Sequence, residues 1–126
     1  MPIVIMAAKR KEGPAVKYLM FVCTDTEPDP DTSNVPDIDD WVAENDAVGR
    51  RLQGMVLAPV SSATTVRVRD GQVLLSDGPF AETKEVIVGF DLLDCADLDE
   101  AIEVARTHPM ARSGRIEIRP LADFEQ

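Results

Sequence analysis

Two residues in this chain are of the types from which acid–base chemistry is built. His108 is the only histidine, and Asp77 is the acid inside a tight Asp77-Gly78-Pro79-Phe80 turn. A histidine can take or give a proton near neutral pH, and a carboxylate beside it can orient the ring. On that reading His108 is a general base and Asp77 its partner. Each residue also has a plainer reading. His108 ends a helix, where the dipole favours imidazolium and the ring bonds to terminal carbonyls. Asp77 precedes glycine, where a carboxylate caps its own turn.

Other residues have binding chemistry. Arg67, Arg69 and Arg119 point outward from strands. Guanidinium groups there can hold a carboxylate ligand, or pair with surface acids. Asn45 is polar, yet it falls on the same helical stripe as Trp41. Trp41 reads as core, and Asn45 marks a wet pocket between helix and sheet. The candidate ligand-binding set is therefore Asn45, Arg67, Asp77, Gly78, Pro79, Phe80 and Arg119, and the ligand a small polar or anionic molecule. Glu82, Lys84 and Glu85 read as a solvated run or a dimer rim. Two cysteines and one histidine do not make a structural zinc set. The chain has no phosphate loop, dinucleotide glycine pattern, nucleophile elbow or helical metal-ligand pair. No metal or cofactor is expected.

The elements that must position these residues are legible as patterns. Val16 to Thr24 is an apolar, β-branched and aromatic run that predicts a central strand. Asp25 to Pro36 holds three prolines and four acids, which predicts a mobile loop. A helix is predicted over Asp37 to Gln53, capped by Asp37, striped by Trp41, Val48 and Leu52, and ended by Gly54. Met55 to Leu57 reads as a short strand. Asp70-Gly71 between alternating apolar residues predicts a two-residue hairpin pairing Val68 with Val73 and Val66 with Leu75. Val86 to Cys95 is a further strand, in which Gly89 marks a bulge or a close backbone approach. Asp97 and Glu100 have capping-box spacing before a helix striped by Leu98, Ala101, Ile102 and Ala105 and ended by Pro109. Gly114 to Arg119 closes the chain as a strand with Ile116 and Ile118 inward. The order β-α-β, hairpin, β-α-β predicts an α+β, ferredoxin-like layout with an inserted β-hairpin. Both helices cover one sheet face, so the other needs a partner.

Composition sets limits. The 126 residues fit one domain. The net charge of -10 opposes binding to nucleic acid and to anionic membranes. No apolar run reaches the ~20 residues of a membrane span. Residues 1–16 read as an extension: an arm, an extra edge strand, or the product of an early start codon. Its apolar stretch is too short for a secretory signal, so a reducing cytoplasm and free thiols at Cys23 and Cys95 are expected.

Asp77-Gly78-Pro79-Phe80, followed by Ala81-Glu82-Thr83-Lys84-Glu85 and then Gly89-Phe90, resembles the signature of the DGPF group of YCII-related proteins. The strand at Lys17 to Val22, the Thr107-His108-Pro109 corner and the closing Gly114 to Pro120 fit in order, so the resemblance spans residues 17 to 121. It implies one YCII-related domain over 17–126 that dimerises sheet against sheet into an α+β barrel. Some YCII-related proteins look like lyases or dehalogenating enzymes with a histidine–aspartate pair, the histidine lying on or just before the first helix. That region here offers Trp41 and Asn45 instead, so histidine chemistry would have to be rebuilt around His108. The DGPF group is also similar to proteins encoded beside, or fused to, alternative sigma factors, which implies a regulatory partner. The expectation is a cytoplasmic homodimer acting as a small-molecule-binding or regulatory accessory module linked to transcription. The alternative is a cofactor-free lyase or isomerase with His108 as base and Asp77 beside it.

Overall fold

A computed structural model describes residues 15–78 and 85–122. Residues 1–14 of the 1–16 extension, the Pro79-Phe80 half of the signature turn, and Glu82 and Lys84 of the charged run lie outside the described residues. The described residues form six strands and three α-helices, with a 3-10 turn at Val60–Ser62: β1 Val16–Thr24, α1 Ile38–Ala47, β2 Arg51–Val56, β3 Thr64–Arg69, β4 Gln72–Asp77, β5 Ile87–Cys95, α2 Leu98–Arg106, α3 Met110–Ser113 and β6 Gly114–Pro120. Four strands form an antiparallel sheet in the order β2-β5-β1-β6, and β3 pairs with β4 in a separate two-stranded sheet. The pairs β1 with β5, β1 with β6 and β2 with β5 are all antiparallel. Helices α1 and α2 therefore each join strands that run parallel without being neighbours, an order consistent with a ferredoxin-like fold.

The core is one layer deep. Tyr18, Met20 and Val22 from β1 meet Leu93 and Cys95 from β5, under Trp41 of α1 and Ala101, Val104 and Ala105 of α2. Ile116 and Ile118 pack against this cluster, as their alternation predicts. The other face carries Leu19, Phe21, Phe90 and Leu92, which pair across β1 and β5. No helix of the described residues is long and apolar enough to cross a membrane.

Several predicted boundaries move. The first helix stops at Ala47, and Gly49 takes a left-handed φ of 76° just beyond it. Arg51 to Gln53 belong to β2, so Leu52 is exposed in a strand and is no part of a helical stripe. Glycine at 49 ends the helix because only glycine takes that backbone at little cost. In α2 the buried stripe is Ala101, Val104 and Ala105, while Leu98 and Ile102 stay exposed. Pro109 does not merely end that helix but starts α3. Proline at a helix start loses no hydrogen bond, because the first N–H groups have no helical acceptor.

Other expectations hold. Asp37 accepts from the Asp39 and Asp40 amides. The Asp97 carboxylate accepts from Glu100 N–H (2.9 Å), and Glu100 reaches back to the Ala96 amide (2.7 Å). The hairpin has the predicted register, with Asp70 and Gly71 at φ 51° and 75°. Positive φ at both turn residues matches the twist of the flanking strands. Gly89 serves close approach: a Cβ there would lie 2.9 Å from the Met55 carbonyl. The β1–β5 register also shifts beside it, between Val22 and Cys23. Cys23 and Cys95 are buried and in no disulfide among the described residues.

Candidate functional site

Among the described residues, three polar or charged side chains are buried: Asn45, Asp91 and His108. Each has a local reason. Trp41 turns its ring toward α2, where Nε1 donates to the Val104 carbonyl (2.8 Å). That bond ties the two helices together. Asn45, one turn on, donates Nδ2 to the Trp41 carbonyl (2.8 Å), and its Oδ1 is buried without a hydrogen-bond partner. His108 sits edge-on to Trp41, ring centroids 4.6 Å apart.

Asp91 lies on the helix-covered face of β5, opposite Met20 and Gly54. Arg51 donates Nε to Asp91 Oδ1 (2.7 Å) and Nη1 to both oxygens of Asp46 (2.9 and 3.1 Å). One guanidinium thus links the last turn of α1 to the middle of the sheet. Glycine at 54 leaves the room, because a Cβ there would overlap Asp91 Oδ1 and crowd Arg51.

His108 differs from expectation. Burial pushes its pKa below the ordinary value, against the pull of Asp91, and Arg51 lowers it further. Its Nδ1 accepts from the Met110 amide (2.9 Å). The ring is therefore neutral with its proton on Nε2, and it satisfies an open N–H at the start of α3. The predicted imidazolium bonded to helix-end carbonyls is replaced by a buried neutral acceptor, because desolvation outweighs the helix dipole. A base needs a free nitrogen, and Nδ1 is occupied.

Among the described residues, the structure does not bring Asp77, Gly78, Arg67 or Arg119 to His108. The acid acting on the ring is Asp91. Asp77 is exposed at the end of β4, opposite Thr64. Gly78, at φ 91°, donates to the Ala63 carbonyl (2.7 Å) and accepts from Thr65 Oγ1 (2.8 Å). Arg67 is exposed on β3. Arg119 is exposed on β6, 3.6 Å from Glu117. Of the described residues in the predicted binding set, only Asn45 is among the buried polar side chains.

A cleft of about 640 Å³ opens between helix and sheet elsewhere. Ile102, Ala105, Ile116 and Ile118 contribute its apolar lining, and Arg106, Arg112 and Arg115 its cations. These arginines come from α2, α3 and β6. Asp25, Glu27 and Asp29 line the same cleft from the loop after β1. Arg115 Nε meets Asp25 Oδ2 at 3.0 Å. Arg112 stands 3.7 Å from both Asp29 and Asp31. It also donates to the carbonyls of Ser33 (2.9 Å) and Asn34 (3.1 Å), and its own carbonyl accepts from the Asp29 amide (2.8 Å). The proline-rich loop is thus fastened by Arg115 at its start and by Arg112 along its length. Sequence reading missed this cation set. The signal was the recurrence of arginine at 106, 112 and 115 in an acidic chain, but only packing brings α2, α3 and β6 to one cleft.

The model of the YCII-related domain matches residues 16–125. The chain therefore belongs to the YCII-related family. It is similar to an uncharacterized protein of Rhizobium meliloti (strain 1021), 50% identical over 71 residues, which is 55% of this chain and 57% of the relative. The match spans little more than half of that relative's length.

Proposed function

We propose that this chain is a homodimeric module of the DGPF group that binds a small anionic molecule in the helix–sheet cleft. The observation that supports it is the convergence of Arg106, Arg112 and Arg115 over an apolar floor in a chain of net charge -10. Arg112 is the central group. Its contacts with Asp29 and Asp31 are at the long limit of ion pairing, so a ligand carboxylate or phosphate can take their place with better geometry. The homodimer reading draws on the uncovered Leu19, Phe21, Phe90 and Leu92 face and on the barrel expected of the family. An accessory role in transcription rests on the resemblance alone. The lyase or isomerase reading has weaker support, because His108 is buried with Nδ1 engaged and does not line the cleft.

Calorimetry with a panel of mono- and dicarboxylates, inorganic phosphate and phosphate monoesters tests the reading. At least one anion is expected to bind, and Arg112→Gln to weaken it by about tenfold or more. Silence across the panel, or equal binding by the variant, would defeat anion binding in this cleft.

A further inference from the structure

Among the described residues, the β3–β4 hairpin pairs with no other strand. Its strands pack chiefly on each other. Val66, Val68, Val73 and Leu75 share one face by their register, and all four are 56–68% exposed. An isolated two-stranded hairpin is at best marginal in water, so a face of this kind needs a cover. A second uncovered strip lies at its root. Met55, Val56, Leu57, Val60 and Ile87 are all exposed there, Val56 to 89%. Beside them a groove of about 490 Å³ is lined by Leu57, Pro59, Val60, Ala63, Val86 and Ile87.

We propose that the hairpin is an exchange arm: its Val66, Val68, Val73 and Leu75 face packs on the Met55, Val56, Leu57, Val60 and Ile87 strip of a second copy, and the exchange is mutual. This rests on the homodimer reading above and specifies its contacts. Three observations select a second copy as occupant. First, area: these nine side chains expose on the order of 900 Å² per chain, against about 800 Å² per partner in a standard interface. Second, symmetry: arm and strip are on the same chain, so a two-fold axis satisfies both patches at once and leaves neither open. Third, charge: residues 52–78 carry two arginines and two aspartates, a net charge of zero. Residues 25–46 carry nine acids and no base. Two copies of so acidic a chain repel each other, and the arm region is where they can meet without that cost. Met55 also pairs with Phe90 on the uncovered sheet face, so the strip continues that face.

Sedimentation of wild type and of the Val66→Asp/Val73→Asp variant tests the arm. Wild type is expected to be a dimer, and the variant a folded monomer whose dimer dissociation constant is raised about 100-fold or more. A variant as dimeric as wild type would overturn the arm and leave the homodimer standing. A wild type that stays monomeric at every concentration would overturn both. Circular dichroism reports whether the variant is folded. A crosslinking experiment covers a variant that is not. Chains carrying Val73→Cys are mixed with chains carrying Val56→Cys, and oxidation is expected to join the two kinds. A mixture that yields no mixed disulfide would overturn the contact, since Cys23 and Cys95 are buried and do not compete.

Discussion

His108 is a polar residue kept neutral by its surroundings, and that has a sign in the pH dependence. Its pKa is lowered in the folded chain relative to an unfolded value near 6.5. Above about pH 6.5 the ring is neutral in both states and folding has its full stability. As pH falls below that value, the unfolded state takes up protons first and stability drops until the folded ring titrates. Urea titrations between about pH 7 and 5 are expected to show this fall, and His108→Gln to flatten it. The Arg51–Asp91 pair makes a different prediction. Asp91→Ala leaves a mostly buried guanidinium with only Asp46, and is expected to cost about 3 kcal/mol. Replacing Arg51 and Asp91 together by apolar residues is expected to cost less than Asp91→Ala alone, read by the same titrations. Burial also pushes the Cys23 thiol up, with Glu117 adding to the effect and Arg115 opposing it. Neither cysteine should react with a thiol reagent until the protein is unfolded.

The elements show how small residues make space for large ones. Gly54 in β2 stands where a methyl group would overlap the Arg51–Asp91 pair. Gly54→Ala is expected to destabilise by about 2 kcal/mol, a cost that Asp91→Ala should reduce when the two are combined. A double-mutant cycle in urea measures that coupling. The hairpin was legible from Asp70-Gly71 and its alternating neighbours because turn chemistry and strand register are both local. The end of α1 was not. Val48 and Leu52 continue a helical stripe in sequence, yet the chain turns at Gly49 and pairs Arg51 with Leu93. A strand partner forty residues away outweighed the local pattern, because a ladder contributes hydrogen bonds that an exposed helix end lacks.

At the scale of the molecule, charge and apolar surface are unevenly distributed along the chain. Nine acids and no base fall between 25 and 46, while most of the exposed large apolar residues fall between 52 and 87. If copies associate through the second region, the first opposes them at long range. Added salt screens that repulsion and leaves apolar burial intact. The dimer is therefore expected to tighten by a few-fold as ionic strength rises from about 0.02 to about 0.3 M, where the Debye length shrinks from roughly 20 to roughly 6 Å. Sedimentation equilibrium at several salt concentrations measures the effect. Weakening with salt would point instead to an interface held by ion pairs.

Sequence alone determined the order of the strands and of α1 and α2, the caps at Asp37 and Asp97, the hairpin register and the inward Ile116 and Ile118. Each depends on residues within a few positions of one another. It also marked Asn45 as a polar residue in an apolar setting, because the helical period puts it beside Trp41. Only the tertiary structure decided what surrounds His108. Its neighbours Trp41, Asp91 and Arg51 come from α1, β5 and β2. Burial among them lowers the pKa of His108, against the protonation that a helix end alone would favour. The arginine cleft was decided in the same way, since Arg112 and Arg115 meet the Asp25 to Asn34 loop, with Arg106 lining the same cleft, only once β6 has paired beside β1. Local signals fix dihedral angles and periodicity, whereas a site's electrostatics depend on which distant groups share a desolvated volume.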